Sequence, residues 1–389
     1  MRFTEDHDLF RKTVRDIVDR EINPHVDAWE AAGRFPAHEL FPVLGAAGLL
    51  GIEYDTAYGG QGADHSFTVV YGEELGRIAC GGVPMAISVQ SDMATPSLHR
   101  YGSEELKQQF LVPAVAGTAV AAIAVTEPDA GSDVAGLRTR ARHDGDEWVI
   151  DGTKLYITNG AQADWVCVLA RTSDEGGARG ISQIIVPTDT PGMSVSRTLD
   201  KLGMRSSDTA ELVFDGVRVP AGHLIGEEGR GFHQQMEQFQ QERMIACYQA
   251  VGSMEQALAR TREYLGQRQA FGGALYANDY LAYTLAEAAA DVDLFKHYNH
   301  ACAEAFIAGA DTKRMVAIAK LTAGRLLRRV ADVCLQFHGG LGYMEEHWTA
   351  RYLRDQRLWA IGGGADEVML RTIAQLDAPG LEIDVEGWK

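Results

Sequence analysis

Three regimes of hydrophobic patterning divide the chain. From residue 1 to about 120, apolar residues recur at helical spacing: Thr4, Asp6, His7 and Asp8 form an N-cap and acidic first turn ahead of Leu9, Phe10, Val14, Ile17 and Val18. Pro24, Pro36 and Pro42 punctuate the helices that follow, and Gly59-Gly60-Gln61-Gly62 marks a loop. Near residue 120 the period changes. Short β-rich runs appear at Trp148-Val149-Ile150, Leu155-Tyr156-Ile157-Thr158, Trp165-Val166-Cys167-Val168-Leu169, Ile181 to Val186 and Glu211-Leu212-Val213-Phe214. Asp144-Gly145, Asp151-Gly152, Gly176-Gly177 and Asp215-Gly216 separate them as turns. No helix lies between these strands, which predicts a small antiparallel barrel or sandwich and disfavours a Rossmann fold. Helical periodicity returns over roughly 231–267, 279–308 and 314–337, and again after Gly364. The expected fold is mainly α with a central β domain. It has an N-terminal α-helical domain (1–120), a middle antiparallel β-barrel (121–228) and a C-terminal helical bundle (229–389).

The proline-free run from Gly231 to Gln269 contains the most informative pair of residues. At about 100° per residue, Phe232, Met236, Phe239, Ala246, Cys247, Ala250 and Met254 fall on one stripe. Arg243 falls on the same stripe, and Glu242 lies roughly 90° from its centre. A charge on an apolar stripe requires a partner, a ligand or an opening to water. An ordinary salt bridge, or an arginine that snorkels out along its stem, satisfies the same pattern.

Composition narrows the function class. With 389 residues, 46% of them hydrophobic and 23% charged, the chain can fill a large core as two or three packed units. A net charge of −18 argues against binding a nucleic-acid backbone or an anionic membrane. Cys80, Cys167, Cys247, Cys302 and Cys334 are odd in number and never form CxxC. A disulfide framework or zinc site is therefore not expected, and a reducing compartment is. The N-terminus lacks an apolar signal core, and no apolar stretch approaches membrane-spanning length. A soluble, cytoplasmic protein without a metal is the expectation.

Four motifs carry candidate chemistry, each with a structural alternative. Val125-Thr126-Glu127-Pro128-Asp129-Ala130-Gly131-Ser132-Asp133 offers backbone N–H groups and hydroxyls to a polar ring or phosphate, or is a capped turn. Tyr156-Ile157-Thr158-Asn159-Gly160 places an aromatic and a hydroxyl at a strand end, or is a strand followed by a turn. Gln336-Phe337-His338-Gly339-Gly340-Leu341-Gly342-Tyr343 puts three glycines after a helix, outside any dinucleotide fingerprint. Arg268-Gln269-Ala270-Phe271-Gly272 leaves the long helix, or is its stop signal. Arg325, Arg328 and Arg329 form a basic face, read as solvated or intersubunit.

Taken together and in this order, these motifs resemble the acyl-CoA dehydrogenase family over nearly the whole chain. The resemblance runs through Tyr58-Gly59-Gly60-Gln61-Gly62, Glu74-Leu75-Gly76-Arg77, Thr126-Glu127-Pro128 and Gly131-Ser132-Asp133. It continues through Gly152-Thr153-Lys154 to Asn159-Gly160, Lys201-Leu202-Gly203-Met204-Arg205, Arg268 with Phe271-Gly272, and Gln336 to Tyr343. It implies a homotetrameric FAD enzyme that oxidises an acyl-CoA between its α and β carbons, in fatty-acid β-oxidation, and passes electrons to an electron-transfer flavoprotein. On this resemblance Val125, Thr126, Gly131, Ser132, Tyr156 and Thr158 wall the isoalloxazine ring. Arg268, Phe271, Gln336 and Gly340 contact the FAD of a neighbouring subunit, with Ala365 and Glu367 as further cofactor contacts. Ser132, Gln240, Arg243, Gly363 and Gly364 match positions near the acyl-CoA.

The base is the distinctive point. Many members carry it near the C-terminus, in a Tyr-Glu-Gly-Thr segment after Arg-Asp; here Arg354-Asp355 leads to Gly363, which cannot take a proton. Isovaleryl-type and long-chain-type members place a glutamate on the long helix directly before an arginine, and Glu242-Arg243 matches them. The implied substrate is a medium-to-long or methyl-branched acyl chain. Ala365, Ala270 and Asp279 depart from the residues usual at their positions. Two other readings stay open: an acyl-carrier-protein dehydrogenase or flavin monooxygenase on the same scaffold, and a non-catalytic flavin-binding or DNA-associated homologue. The strongly acidic charge weighs against the last.

Overall fold

The computed structural model describes residues 1–378. They fall into two compact units: one of Lys12–Thr68 with Ile78–Glu242, the other of Met1–Arg11, Val69–Arg77 and Arg243 onward. Helices precede the strands: α1 (Glu5–Ile17), α2 (Val26–Ala32), α3 (Ala37–Ala46), α4 (His65–Leu75), α5 (Gly82–Ser88), α6 (Pro96–Tyr101), α7 (Glu104–Leu106) and α8 (Val112–Val115). Between α5 and α6 the chain widens into a π-helical turn, Val89–Ala94. Such turns are uncommon and recur beside functional sites.

The unit of Lys12–Thr68 and Ile78–Glu242 is built on one sheet. Its strands are β1 (Ala121–Ala124), β2 (Arg140–Asp144), β3 (Glu147–Thr158), β4 (Trp165–Arg171), β5 (Ile181–Pro187), β6 (Met193–Thr198) and β7 (Thr209–Pro220). Their order is β1-β4-β2-β3-β7-β6, with β5 on β4. The expected β domain is there, in a more open and more mixed form than the antiparallel barrel predicted. The path does not close on itself, and β1 runs parallel to β4. The continuous apolar run Trp165–Leu169 explains why. On β4, Val166 and Val168 join the cluster around Trp148, Ile150 and Leu212, while Trp165 and Cys167 face Leu98, Leu111 and Val115 of the helices. A strand covered on both faces is apolar at every position, and such strands tolerate parallel neighbours.

The other unit is helical. α9 (Gly231–Gln267) enters it at Arg243, and α10 (Asp279–Ile307), α11 (Lys313–Gly342), α12 (Trp348–Gln356) and α13 (Asp366–Asp377) complete it. A Cβ on Gly76 would lie 2.1 Å from the Gln249 carbonyl oxygen, and one on Gly252 would lie 1.8 Å from that of Glu73. Glycine alone lets α4 and α9 cross with their backbones in contact. The basic face of α11 is not simply solvated: Arg328 pairs with Asp366 at 3.0 Å, and Arg329 pairs with Asp291 and Glu287. After α9 the chain forms a small hairpin of β8 (Gln269–Ala270) and β9 (Gly273–Ala274), where the sequence suggested a motif leaving the long helix or a helix stop.

Candidate active site

Glu242 is buried, with 7% of its surface exposed. Its Oε1 accepts hydrogen bonds from Gln235 Nε2 at 3.0 Å and Gln238 Nε2 at 2.8 Å. The buried face of these first turns of α9 is therefore polar: Gln235 is 0% and Gln238 2% exposed, whereas Phe232, Met236 and Phe239 on the apolar stripe are only half-buried. The apolar stripe becomes the buried one further along, at Cys247, Ala250 and Met254. Neutral amides compensate a carboxylate for its lost water without introducing a second charge. On β4 beneath, burial and then the Glu242 charge push the Cys167 thiol up to about 12, so it remains a thiol. Gln240 on the same helix has a buried Oε1 with no hydrogen-bond partner among the described residues, as a ligand-facing amide would.

The candidate ring wall lies in the same unit. Leu155 N–H donates to the Thr126 carbonyl at 2.9 Å, and the Thr126 hydroxyl donates back to the Leu155 carbonyl. These bonds seat the Val125–Ser132 segment on β3. Next to that seat, the pairing of β3 with β7 shifts register between Lys154 and Ile157. Tyr156 occupies the irregularity at φ 65°, with 65% of its surface exposed. For a tyrosine this conformation costs about 1–2 kcal/mol, and such strain accumulates at working sites. The irregularity turns the ring out of the ladder, with Thr158 half-buried two residues on. A Cβ at Gly131 would meet nothing within 4 Å, and Ser132 beside it is exposed. Apolar faces from Val125 and Tyr156, with hydroxyls from Thr126, Ser132 and Thr158, suit a flat heteroaromatic ring with a polar edge. The residues fit a flavin.

Behind this wall is a pair that sequence reading quoted as motif but did not connect. Lys154 is 0% exposed; its Nζ donates to Glu127 Oε1 and to the Val125 carbonyl, both at 2.9 Å. Burial pulls the Lys154 ammonium down to about 8, against the raising effect of Glu127. Burial pushes Glu127 up, but Lys154 and the N–H groups of Thr139 and Arg138 outweigh it and leave its carboxyl below the usual range. The pair ties the loop to β3.

In the other unit, Arg243 Nε donates to the Gly363 carbonyl at 3.1 Å, and a Cβ on Gly364 would lie 3.5 Å from Arg243 Nη2. Three substrate-site candidates thus meet. Lys320, which no motif flagged, is 1% exposed and donates to the carbonyls of Trp359 at 2.6 Å and Gly364 at 3.2 Å. Gly363 adopts φ +65°, where a side chain would be strained, so its backbone as well as its composition argues against a base there. Ala365 precedes α13 without a side-chain cap, and Glu367 is exposed in its first turn.

Arg268, Gln336 and Gly340 line one cavity of about 600 Å³ with Tyr264, Leu275 and His338. Gly339, at φ 58° and ψ −140°, kinks α11 at its rim. Phe271 stands at the hairpin tip with φ 54° and is 103% exposed. No cluster of three or more His, Cys, Asp or Glu suited to a metal occurs among the described residues, and the five cysteines are buried thiols outside any disulfide. No helix among them is long and apolar enough to cross a membrane.

Comparison with known proteins agrees across the chain. Family models match in order: the acyl-CoA dehydrogenase N-terminal domain over residues 4–118, the middle domain over 122–217 and the C-terminal domain over 229–376. The long-chain specific acyl-CoA dehydrogenase of Sus scrofa mitochondria is 38% identical over 379 residues, covering 96% of this chain and 86% of that protein. An acyl-CoA dehydrogenase structure from Geobacillus kaustophilus is 39% identical with TM-score 0.93, covering 97% of this chain and 99% of that one. A glutaryl-CoA dehydrogenase from Mycobacterium smegmatis, solved in complex with FADH2, is 30% identical with TM-score 0.92, covering 98% and 97%.

Proposed function

The chain belongs to the acyl-CoA dehydrogenase family, and from that premise we propose that it is an FAD-dependent enzyme in which Glu242 is the base that opens the α,β-oxidation of an acyl-CoA thioester. Membership makes it an oxidoreductase of a flavoprotein family. The observation that carries the finer reading is Glu242: a buried carboxylate, anchored at Oε1 by two amides, directly before Arg243, while residue 363 has no side chain. A carboxylate in that state can take the weakly acidic α-proton. FAD, when bound, supplies the acceptor for the β-hydride. Val125, Thr126, Gly131, Ser132, Tyr156 and Thr158 hold its ring, and Ala365 and Glu367 add contacts to it.

Arg243 orients and does not react, because a guanidinium stays charged. Its bond to the Gly363 carbonyl supports a role beside the thioester with Gly364. Ser132 and Gln240 are proposed as further substrate contacts, and the buried Gln240 Oε1 has no partner among the described residues. The cavity of Arg268, Gln336 and Gly340, with the projecting Phe271, supports contacts to the FAD of a neighbouring subunit in a homotetramer. The proposed substrate is a medium-to-long or branched acyl-CoA, and the proposed acceptor of electrons is an electron-transfer flavoprotein.

An anaerobic panel of acyl-CoAs, scored by bleaching of the flavin, identifies the substrate. With the best of them, Glu242→Gln should slow bleaching by about 10³-fold. Bleaching at a near wild-type rate would remove Glu242 from the role.

A further inference from the structure

A buried carboxylate can be held in many ways, and the way chosen here has a direction built into it. Gln238 uses every hydrogen-bonding position of its amide. Its Oε1 accepts from the Ser97 backbone N–H at 3.0 Å and the Ser97 hydroxyl at 2.7 Å. Its Nε2 donates to the Met93 carbonyl and to Glu242 Oε1. A backbone N–H can only donate and a backbone carbonyl can only accept, so Ser97 and Met93 together fix which end of the amide faces which way. Rotating the amide by 180° would set its oxygen against two acceptors and its NH2 against a donor. Gln238 is therefore compelled to donate to Glu242.

Gln235 repeats the logic one turn earlier. Its Nε2 donates to the same Glu242 oxygen, while its Oε1 accepts from Gln183 Nε2 at 3.1 Å. Gln183, on β5, is 0% exposed. Two buried amides of α9 converge on one carboxylate oxygen, Gln238 locked by the π-helical turn and the start of α6, Gln235 backed by Gln183 of β5. Oε1 has both its lone-pair directions taken.

We propose that Gln238 and Gln235 are positioning residues, which anchor Glu242 through Oε1 and so fix the orientation of its carboxylate for proton abstraction. This rests on the reading of Glu242 as the base. Neither glutamine touches substrate in this scheme; each acts through the carboxylate it holds. The arrangement fixes the carboxylate's rotation about its last torsion, a broad and soft coordinate that packing alone controls poorly. It also holds the carboxylate in its ionised, proton-accepting form with neutral dipoles, so that losing a donor would favour the protonated acid. Cys167 of β4 lies near enough for the Glu242 charge to act on its thiol, and Arg243 follows Glu242 on the helix.

Two measurements on the holoenzyme test this. The first is single-turnover bleaching by the best acyl-CoA. Gln238→Met should slow it by about 10–100-fold while changing the substrate dissociation constant less than about threefold. The second needs no turnover: infrared titration of enzyme labelled with 13C-glutamate, with the Glu242 band assigned by its disappearance in Glu242→Gln. In Gln238→Met and in the isosteric Gln238→Glu, the midpoint of that band should rise by about one pH unit or more. Should Gln238→Met not fold, Gln238→Glu, which keeps shape and volume, decides. An unchanged rate with an unchanged midpoint overturns the proposal, and so does a loss of thermal stability that leaves both in place. If wild-type enzyme oxidises no thioester, the proposed reaction fails, while the titration still decides whether the amides hold Glu242.

Discussion

Two buried carboxylates in the same unit, Glu127 and Glu242, are held in opposite ways. Glu127 takes a charged donor, Lys154, and the backbone N–H groups of Arg138 and Thr139 at 2.6 and 2.8 Å. Matched charge makes it inert, and it serves as a staple between the Val125–Ser132 loop and β3. Glu242 takes neutral amides at one oxygen. In the base role proposed for it, Glu242 is held ionised by neutral dipoles that add no second charge to the site. Asp92, on the π-helical turn, is a third case. Burial pushes its carboxyl up to about 7, opposed by the Ser91 hydroxyl at 2.9 Å. Neighbouring groups, more than burial, separate scaffold from chemistry.

The comparison can be broken most forcefully at its catalytic arm. Glu242→Gln should lose about 10³-fold in rate, equivalent to roughly 4 kcal/mol, yet change unfolding free energy by less than about 1 kcal/mol, since glutamine keeps the shape. The staple should behave the other way. Lys154→Met leaves Glu127 buried without its cation and should reduce stability by about 3–5 kcal/mol in denaturant titration. Adding Glu127→Gln to it should recover part of the loss. Equal stability effects for the Glu242 and Lys154 variants would erase the distinction.

Asp92 gives a smaller, pH-dependent effect. Its folded value of about 7 lies above the ordinary 3.8, so the folded chain holds the proton more tightly than the unfolded one. This contribution to stability is fully present below about pH 4, falls as pH rises between the two values, and is gone above 7. Asn imitates the neutral acid at every pH. Asp92→Asn should therefore match wild type near pH 4 and exceed it by about 1–3 kcal/mol at pH 8. A constant difference across that range would show that Asp92 does not titrate there. The smallest effect belongs to the outer amide: Gln183→Leu, one amide removed from the carboxylate, should slow bleaching less than about fivefold. A loss as large as that of Gln238→Met would mean that the chain acts as one unit.

Much of the architecture was legible in the patterning. Helical period, then short strands between Asp-Gly turns, then helical period again foretold the order of elements; that the strand at Trp165 is buried on both faces came from the structure. The openness of the sheet was not legible, because closure depends on which edges meet. On α9 the stripe of Phe232, Met236 and Phe239 marked the buried face by hydrophobicity, yet Gln235 and Gln238 are buried more deeply. Periodicity assumes that the surroundings are apolar, and here they are amides and carbonyls. Lys320 was invisible for the same reason: its partners are the carbonyls of Trp359 and Gly364, which have no side-chain signature.

By itself the sequence determined the three-part order of the chain, and its resemblance to the acyl-CoA dehydrogenase family pointed to Glu242, through its place before Arg243 and the missing side chain at Gly363. Those are facts of local order, which a chain carries before it folds. The tertiary structure alone decided how Glu242 is held. Gln183 lies 52 positions from Gln235, and Ser97 lies 141 from Gln238. Hydrogen bonds across such distances are set by which backbone donor and acceptor arrive opposite a side chain, and no spacing along the chain encodes that arrival.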